Sequence, residues 1–224
     1  MSHLLKLRPR PGALAGILLA CFAAAACSKQ GRPAAAGPKQ ETEILFRRMQ
    51  AAWNQIFTSE GSGEYRMARF AVYAREKDTK CGRLTGGVSY CPEERLVAAE
   101  EGWLQTARQQ GGGALAYGLA RALARHVQHE LTIDERVEKA IQKAPASKQE
   151  LLGKREIQAD CFVGLWRRRH EGDAPPLDAL KQAARAWTAQ SGDARLQGVL
   201  EQRLDWMQRG HDQGELAACN VFAQ

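Results

Sequence analysis

The chain has 224 residues, room for one domain with appendages. With 44% apolar and 25% charged residues it has the composition of a globular protein, which excludes a disordered, collagen-like or polytopic membrane chain. The formal charge of +7 raises the question of nucleic-acid or anionic-surface binding, which depends on where the basic residues lie.

The first ten residues carry Lys6, Arg8 and Arg10 and no acid, and an apolar stretch runs from Leu14 to Ala26. A spanning helix needs ~20 residues to cross ~30 Å of hydrocarbon, so this shorter run is read as a secretory signal over residues 1–26. It ends in Ala24-Ala25-Ala26-Cys27-Ser28, which resembles the lipobox of bacterial lipoproteins, with Ala24 where a Leu is usual. Cys27 is the expected lipidation site, and the alternative is simple cleavage after an Ala-x-Ala site. Cys21 is a second candidate acceptor, but it would leave a very short apolar segment. Removal of the signal takes away three basic residues and no acid, which lowers the charge from +7 to +4. The nucleic-acid reading loses its support, and the expected partners are a membrane, through the lipid anchor, and an envelope protein or peptide. The expected location is the cell envelope, facing the periplasm or the exterior. Residues 27–40, rich in Gly, Pro, Ala, Lys and Gln, read as a flexible tether, with the domain over 41–224.

In the domain, Leu45, Met49, Trp53, Ile56 and Phe57 recur at three- and four-residue steps and predict a packing helix over 44–57. Met67–Ala74 and Arg95–Ala99 are candidate strands of a small sheet. Four cysteines, Cys81, Cys91, Cys161 and Cys219, favour two disulfides in an oxidising compartment. Pairing Cys81 with Cys91 would close a Gly-containing loop and leave Cys161 and Cys219 to join an internal helix to the tail; three connectivities are open. A four-cysteine zinc site lacks the short C-x2-4-C spacing. Gly111-Gly112-Gly113, without a following Gly-Lys-Ser/Thr, is a loop rather than a phosphate cradle. It opens a helix over 114–131. A second long helix is expected from Ser147, as N-cap with Glu150 at the capping-box position, through Trp166. Helices over 177–189 and 194–210 follow, separated by Ser191-Gly192-Asp193. Arg167-Arg168-Arg169-His170 suits the negative end of a helix dipole. Trp103, Trp166, Trp187 and Trp206 read as core residues, and Glu100 and Glu101 as possible cleft residues.

Three separated stretches resemble the neutral zinc metallopeptidase family, bacterial zincin-type proteins that are often membrane-attached. The first is Cys81-Gly82-Arg83 with Tyr90-Cys91-Pro92. The second is Glu156-Ile157-Gln158-Ala159-Asp160-Cys161-Phe162-Val163-Gly164-Leu165-Trp166, which resembles the family's E-L-Q-A-D-C-F-A-G-x-W. The third is Glu201-Gln202-Arg203 with Trp206, Arg209-Gly210, Gly214, Cys219-Asn220 and Phe222. The resemblance implies a mostly helical α+β zincin-like domain with a small β-sheet and two disulfides.

Where family members carry A-Y-x-x-A-H-E-x-x-H-H-V-Q, this sequence reads from Ala116-Tyr117 through Ala120-Arg121-Ala122 to Arg125-His126-Val127-Gln128 without a gap. In H-E-x-x-H two imidazoles ~40° apart around a helix offer neutral nitrogens to one Zn²⁺, and the Glu takes a proton from the bound water. Here both imidazole positions hold arginine, Arg121 and Arg125, whose guanidinium stays protonated and has no lone pair for a metal. Ala122 stands at the base position and cannot accept a proton. The resemblance makes Glu156 the one retained candidate ligand and Asp160 its support.

The expectation is a catalytically inactive homologue with no cofactor, whose residual cleft holds Glu156, Asp160, His126 and His129. The competing reading is an active zinc endopeptidase with non-standard ligands. A shifted metal site using His126, His129 and Glu130 is geometrically conceivable, although position 126 is rotated ~100° from 125 and faces away from Glu156. Arg121, Arg125 or both should pair with Glu156, their charges replacing that of the metal. A guanidinium and a carboxylate ~4 Å apart attract by ~4 kcal/mol at an effective dielectric of about 20, before desolvation. The alternative is that both Arg side chains turn into an open cleft and touch only water.

Overall fold

The computed structural model describes residues 37–170, 172 and 174–223. The signal segment 1–26, the acceptor candidates Cys21 and Cys27, and tether residues 27–36 lie outside these. Among the described residues no helix is long and apolar enough to cross a membrane.

Helix α1 spans Pro38–Ser59 and buries Phe46, Met49, Trp53, Ile56 and Phe57. It takes in Pro38–Gln40, which corrects the tether boundary: Pro38 at the first helical turn fits the fixed φ of proline and loses no needed donor. Strand β1 (Arg69–Tyr73) pairs parallel with β5 (Leu96–Glu100), and β4 (Val88–Cys91) pairs antiparallel with the other edge of β5, giving the order β1-β5-β4. A separate hairpin joins β2 (Lys77–Thr79) to β3 (Gly82–Leu84). Central β5 is apolar and buried on both faces. Val97 and Ala99 face the main core, while Leu96 and Ala98 meet Tyr73 and Cys91 on the other side.

Helix α2 (Glu101–Gln109) is capped by Glu100, whose carboxylate accepts from the Trp103 backbone N–H at 3.0 Å. Glu100 is therefore a capping residue, which corrects its reading as a cleft residue. Helix α3 (Gly112–Glu130) packs against α1, α2 and β4, and against the later helices α4 (Ile133–Lys143), α5 (Lys148–Arg169) and α6 (Leu177–Ser191). Its small residues Ala116, Ala120 and Ala124 let neighbours approach on several sides, so nearly all of it is enclosed. The capping box expected at Ser147 does not form. A 3-10 turn over Pro145–Ser147 leaves Ser147 at φ −83°, ψ 3°, not in the extended conformation that aims a cap side chain at the helix. The helix predicted over 194–210 is two, α7 (Ala194–Gly198) and α8 (Leu200–Gln213), broken at Val199.

Helices α5 and α8 meet backbone to backbone. A Cβ on Gly164 would stand 1.9 Å from the Met207 carbonyl oxygen, and one on Gly210 would stand 2.1 Å from that of Cys161. Glycine is required at both positions because even a methyl would force the helices apart. The disulfide Cys161–Cys219 ties α5 to the turn after α8, and Cys81–Cys91 ties the hairpin to the end of β4. Trp53 and Trp166 are fully buried. Trp103, Trp187 and Trp206 are half-buried and pack against the core from its edge.

Candidate functional site: an arginine-lined cleft

Helix α3 presents Tyr117, Arg121, Arg125 and Gln128 toward α5, which answers with Glu156 and Asp160 one turn apart. The guanidinium of Arg121 donates from Nη2 to Glu156 Oε2, and its Nε lies 3.9 Å from Asp160 Oδ1. The expected Arg–carboxylate pair is thus made by Arg121. Arg125 stands farther off, with Nη1 3.9 Å from Glu156 Oε1 and Nη2 3.9 Å from Asp134 Oδ1 on α4. Its one hydrogen bond among the described residues runs from Nη1 to Gln128 Oε1 at 2.8 Å. Gln128 passes the network on through its amide to the Arg155 carbonyl at 2.9 Å and to Gln158 Oε1 at 3.0 Å.

Behind this pair Asp160 is fully buried. It accepts from the Tyr117 hydroxyl at 2.8 Å and from Arg203 Nε on α8. Arg203, equally buried, also donates to Thr188 Oγ1 and to the Tyr117 hydroxyl oxygen, each at 2.8 Å. Asp160 and Arg203 together tie α3, α5, α6 and α8, and Asp160 belongs to the core and not to the open cleft, which corrects its assignment to the residual cleft. The same correction applies to His126. Its Nε2 donates to the Arg66 carbonyl at 2.7 Å, and its Nδ1 accepts from the Tyr90 hydroxyl at 2.9 Å. Both ring nitrogens are used, which excludes His126 as a metal ligand in this arrangement. Burial drives its pKa down to about 4, against the raising effect of the Arg66 carbonyl, so the ring is neutral. His129 lies on the wall of a neighbouring depression with Tyr90, Arg125 and Arg155.

Burial alone would raise the pKa of Glu156, but the Arg121 and Arg125 charges and the Arg121 hydrogen bond hold it below the ordinary range. Burial by itself lowers the Arg121 pKa; Tyr117, Asp160 and Glu156 more than reverse this. For Arg125 burial wins. It brings the guanidinium down to about 10, assisted by Arg155 and Arg121, and the group is still a cation at neutral pH.

A cleft of about 250 Å³ opens above this layer, walled by Val88, Ser89 and Tyr90 of β4 and by Trp187 of α6, and floored by Gly118, Arg121, Ala122 and Arg125. The arrangement does not fit a zinc ion. Where a metal would take two imidazole nitrogens there are protonated guanidiniums, and the one carboxylate in reach is already hydrogen-bonded to Arg121. Among the described residues no group of three or more His, Cys, Asp or Glu side chains could hold a metal.

Fold and site together define a homologue of zincin-type zinc peptidases with no metal-binding triad among its described residues. The chain belongs to the family described as "Putative neutral zinc metallopeptidase", whose profile matches residues 20–222. It is similar to two proteins called "Uncharacterized protein YpfJ", from Escherichia coli strain K12 and from Escherichia coli O6:H1. Each is 29% identical over 206 residues, covering 82% of this chain and 71% of the relative. No solved structure matches the chain significantly.

Several residues of the site carried weaker marks in the sequence. Tyr117 precedes Arg121 by four residues, and so shares its helix face, and Arg203 lies in the third family-like stretch. Asp134 carries no motif. Its helix α4 does show the helical spacing Ile133, Val137, Ala140 and Ile141, which would have revealed it.

Proposed function

We propose that the protein is a pseudoenzyme of the cell envelope. In this reading it is anchored through a lipid on Cys27 and has a zincin-like cleft that binds or regulates a partner instead of hydrolysing one. The observation that carries the proposal is the Arg121–Glu156 bond. The only retained candidate ligand is held by a fixed positive side chain, and Ala122 offers no proton acceptor beside it. Loss of metal ligands and base together leaves neither a bound nucleophile nor a group to activate it.

The full mature chain, purified and dialysed against zinc, should hold well under one equivalent of the metal by mass spectrometry. It should leave casein and a mixed peptide library uncut. Zinc-dependent cleavage that disappears in Glu156→Gln would overturn the reading and install the active endopeptidase in its place. Anchoring is tested separately by fractionation of expressing bacteria, where Cys27→Ser should move the chain from the membrane to the soluble fraction. Unchanged membrane retention would refute the lipid anchor.

A further inference from the structure

The charges gathered around the site do not balance. Arg121, Arg125, Arg155 and Arg203 face Asp134, Glu156 and Asp160, four cations to three carboxylates. Glu156 and Asp160 lie behind Arg121, and the cleft itself is lined by two guanidiniums and no acid. Arg125 is the less compensated of the two. A guanidinium has five donor hydrogens, and this one makes a single hydrogen bond within the described chain, with both nearby carboxylates 3.9 Å away. Its side chain is 20% exposed, so a ligand can reach it.

Tyr90 and Arg125 also line the adjoining depression of about 380 Å³, where the charge reverses: Glu93, Asp134, Glu135 and Glu138 stand along its wall. Trp187 supplies an apolar surface at the other end. Cleft and depression share Tyr90 and Arg125, and taken together as one groove they set a cationic, aromatic-walled part beside a part where four acids outnumber Arg125 and Arg155.

We propose that this groove captures the free C-terminus of a peptide. The terminal carboxylate sits on Arg125, beside Arg121; the last side chain lies against Trp187; and a basic residue upstream faces Glu135 and Glu138. A planar carboxylate accepts two parallel N–H bonds from a guanidinium, and it supplies the negative charge that the cluster lacks. Burial has already weakened the hold of Arg125 on its proton, and an arriving anion reverses that cost. The proposal rests on the pseudoenzyme reading in that it takes the cleft to be free of metal.

The test uses the full mature chain in detergent and two hexapeptide libraries that differ only at the C-terminus, one ending in a free carboxylate and one in a carboxamide. The acid library should bind about tenfold more tightly, and its best members should carry Lys or Arg upstream of the end. Arg125→Gln should cut the preference to about twofold or less. Ala122→Glu, which sets a competing carboxylate on the cleft floor, should do the same, and circular dichroism will report whether each variant keeps its fold. Equal binding of acid and amide, no binding of either, or a preference that survives both substitutions would overturn the proposal. Mass spectrometry of the recovered peptides separates the two readings. Peptides recovered intact without selective binding sink the carboxylate site alone, whereas zinc-dependent cleavage sinks the pseudoenzyme.

Discussion

Asp160→Ala is expected to lower the unfolding free energy by about 3–5 kcal/mol, the range for breaking one partner out of a buried ion pair. Both Asp160 and Arg203 have no side-chain exposure, so the substitution strands a guanidinium in the core. It also removes the acceptor of the Tyr117 hydroxyl and the more distant counter-charge of Arg121. The loss is then shared by four helices, because Arg203 also holds Thr188 and Tyr117. A paired replacement separates charge from shape. Asp160→Leu with Arg203→Met should recover most of the loss, since apolar residues of similar volume can replace a buried pair at little cost. Urea unfolding followed by circular dichroism measures both. A single-variant loss under about 1 kcal/mol would mean that the pair is hydrated, and the enclosed network described above would be wrong.

This network shows what a sequence can and cannot disclose. The frame of α3 and α5 was readable because apolar periodicity and family-like residues fell on the same positions, and a pair between Glu156 and Arg121 or Arg125 followed from the resemblance, which sets these positions around one centre, together with their opposite charges. Burial was not readable. Asp160 and His126 are polar residues in a motif, and nothing in their own chemistry says that Arg203 and Tyr90 will arrive from elsewhere in the chain to satisfy them. The shorter helices escaped for a different reason. Between α3 and α4 the chain turns at Thr132, which takes φ 56° without the glycine or proline that normally marks such a break. Val199 divides α7 from α8 with equally little warning.

The centre also shows how its two buried carboxylates are compensated by side chains alone. At the ligand position Arg121 stands against Glu156, while Asp160 is neutralised by Arg203, a residue of the family-like C-terminal stretch, so both carboxylates are balanced by side chains. Each guanidinium brings directional donors as well as charge, and these fix the orientation of the acceptor oxygens.

Restoring the missing chemistry should therefore restore metal binding. The variant Arg121→His, Ala122→Glu, Arg125→His returns two imidazoles at i, i+4 spacing to the face of α3 that looks at Glu156, and it frees that carboxylate from its present partner. Zinc affinity should rise by at least about a thousandfold over the native chain, ~4 kcal/mol, to one ion per molecule. Isothermal titration gives the affinity and mass spectrometry the stoichiometry. Adding Glu156→Gln should remove most of the gain, which shows that the ion sits between α3 and α5 and not at a chance surface site. The variant loses the Arg121 ion pair, so its apo form should be less stable than the native chain and should recover on zinc addition, because an ion that binds only the folded state shifts unfolding by mass action. A folded variant that takes up no zinc would show that Arg121 and Arg125 do not occupy the places of metal-binding rings, and the reading of the cleft as a converted zinc centre would fall with it.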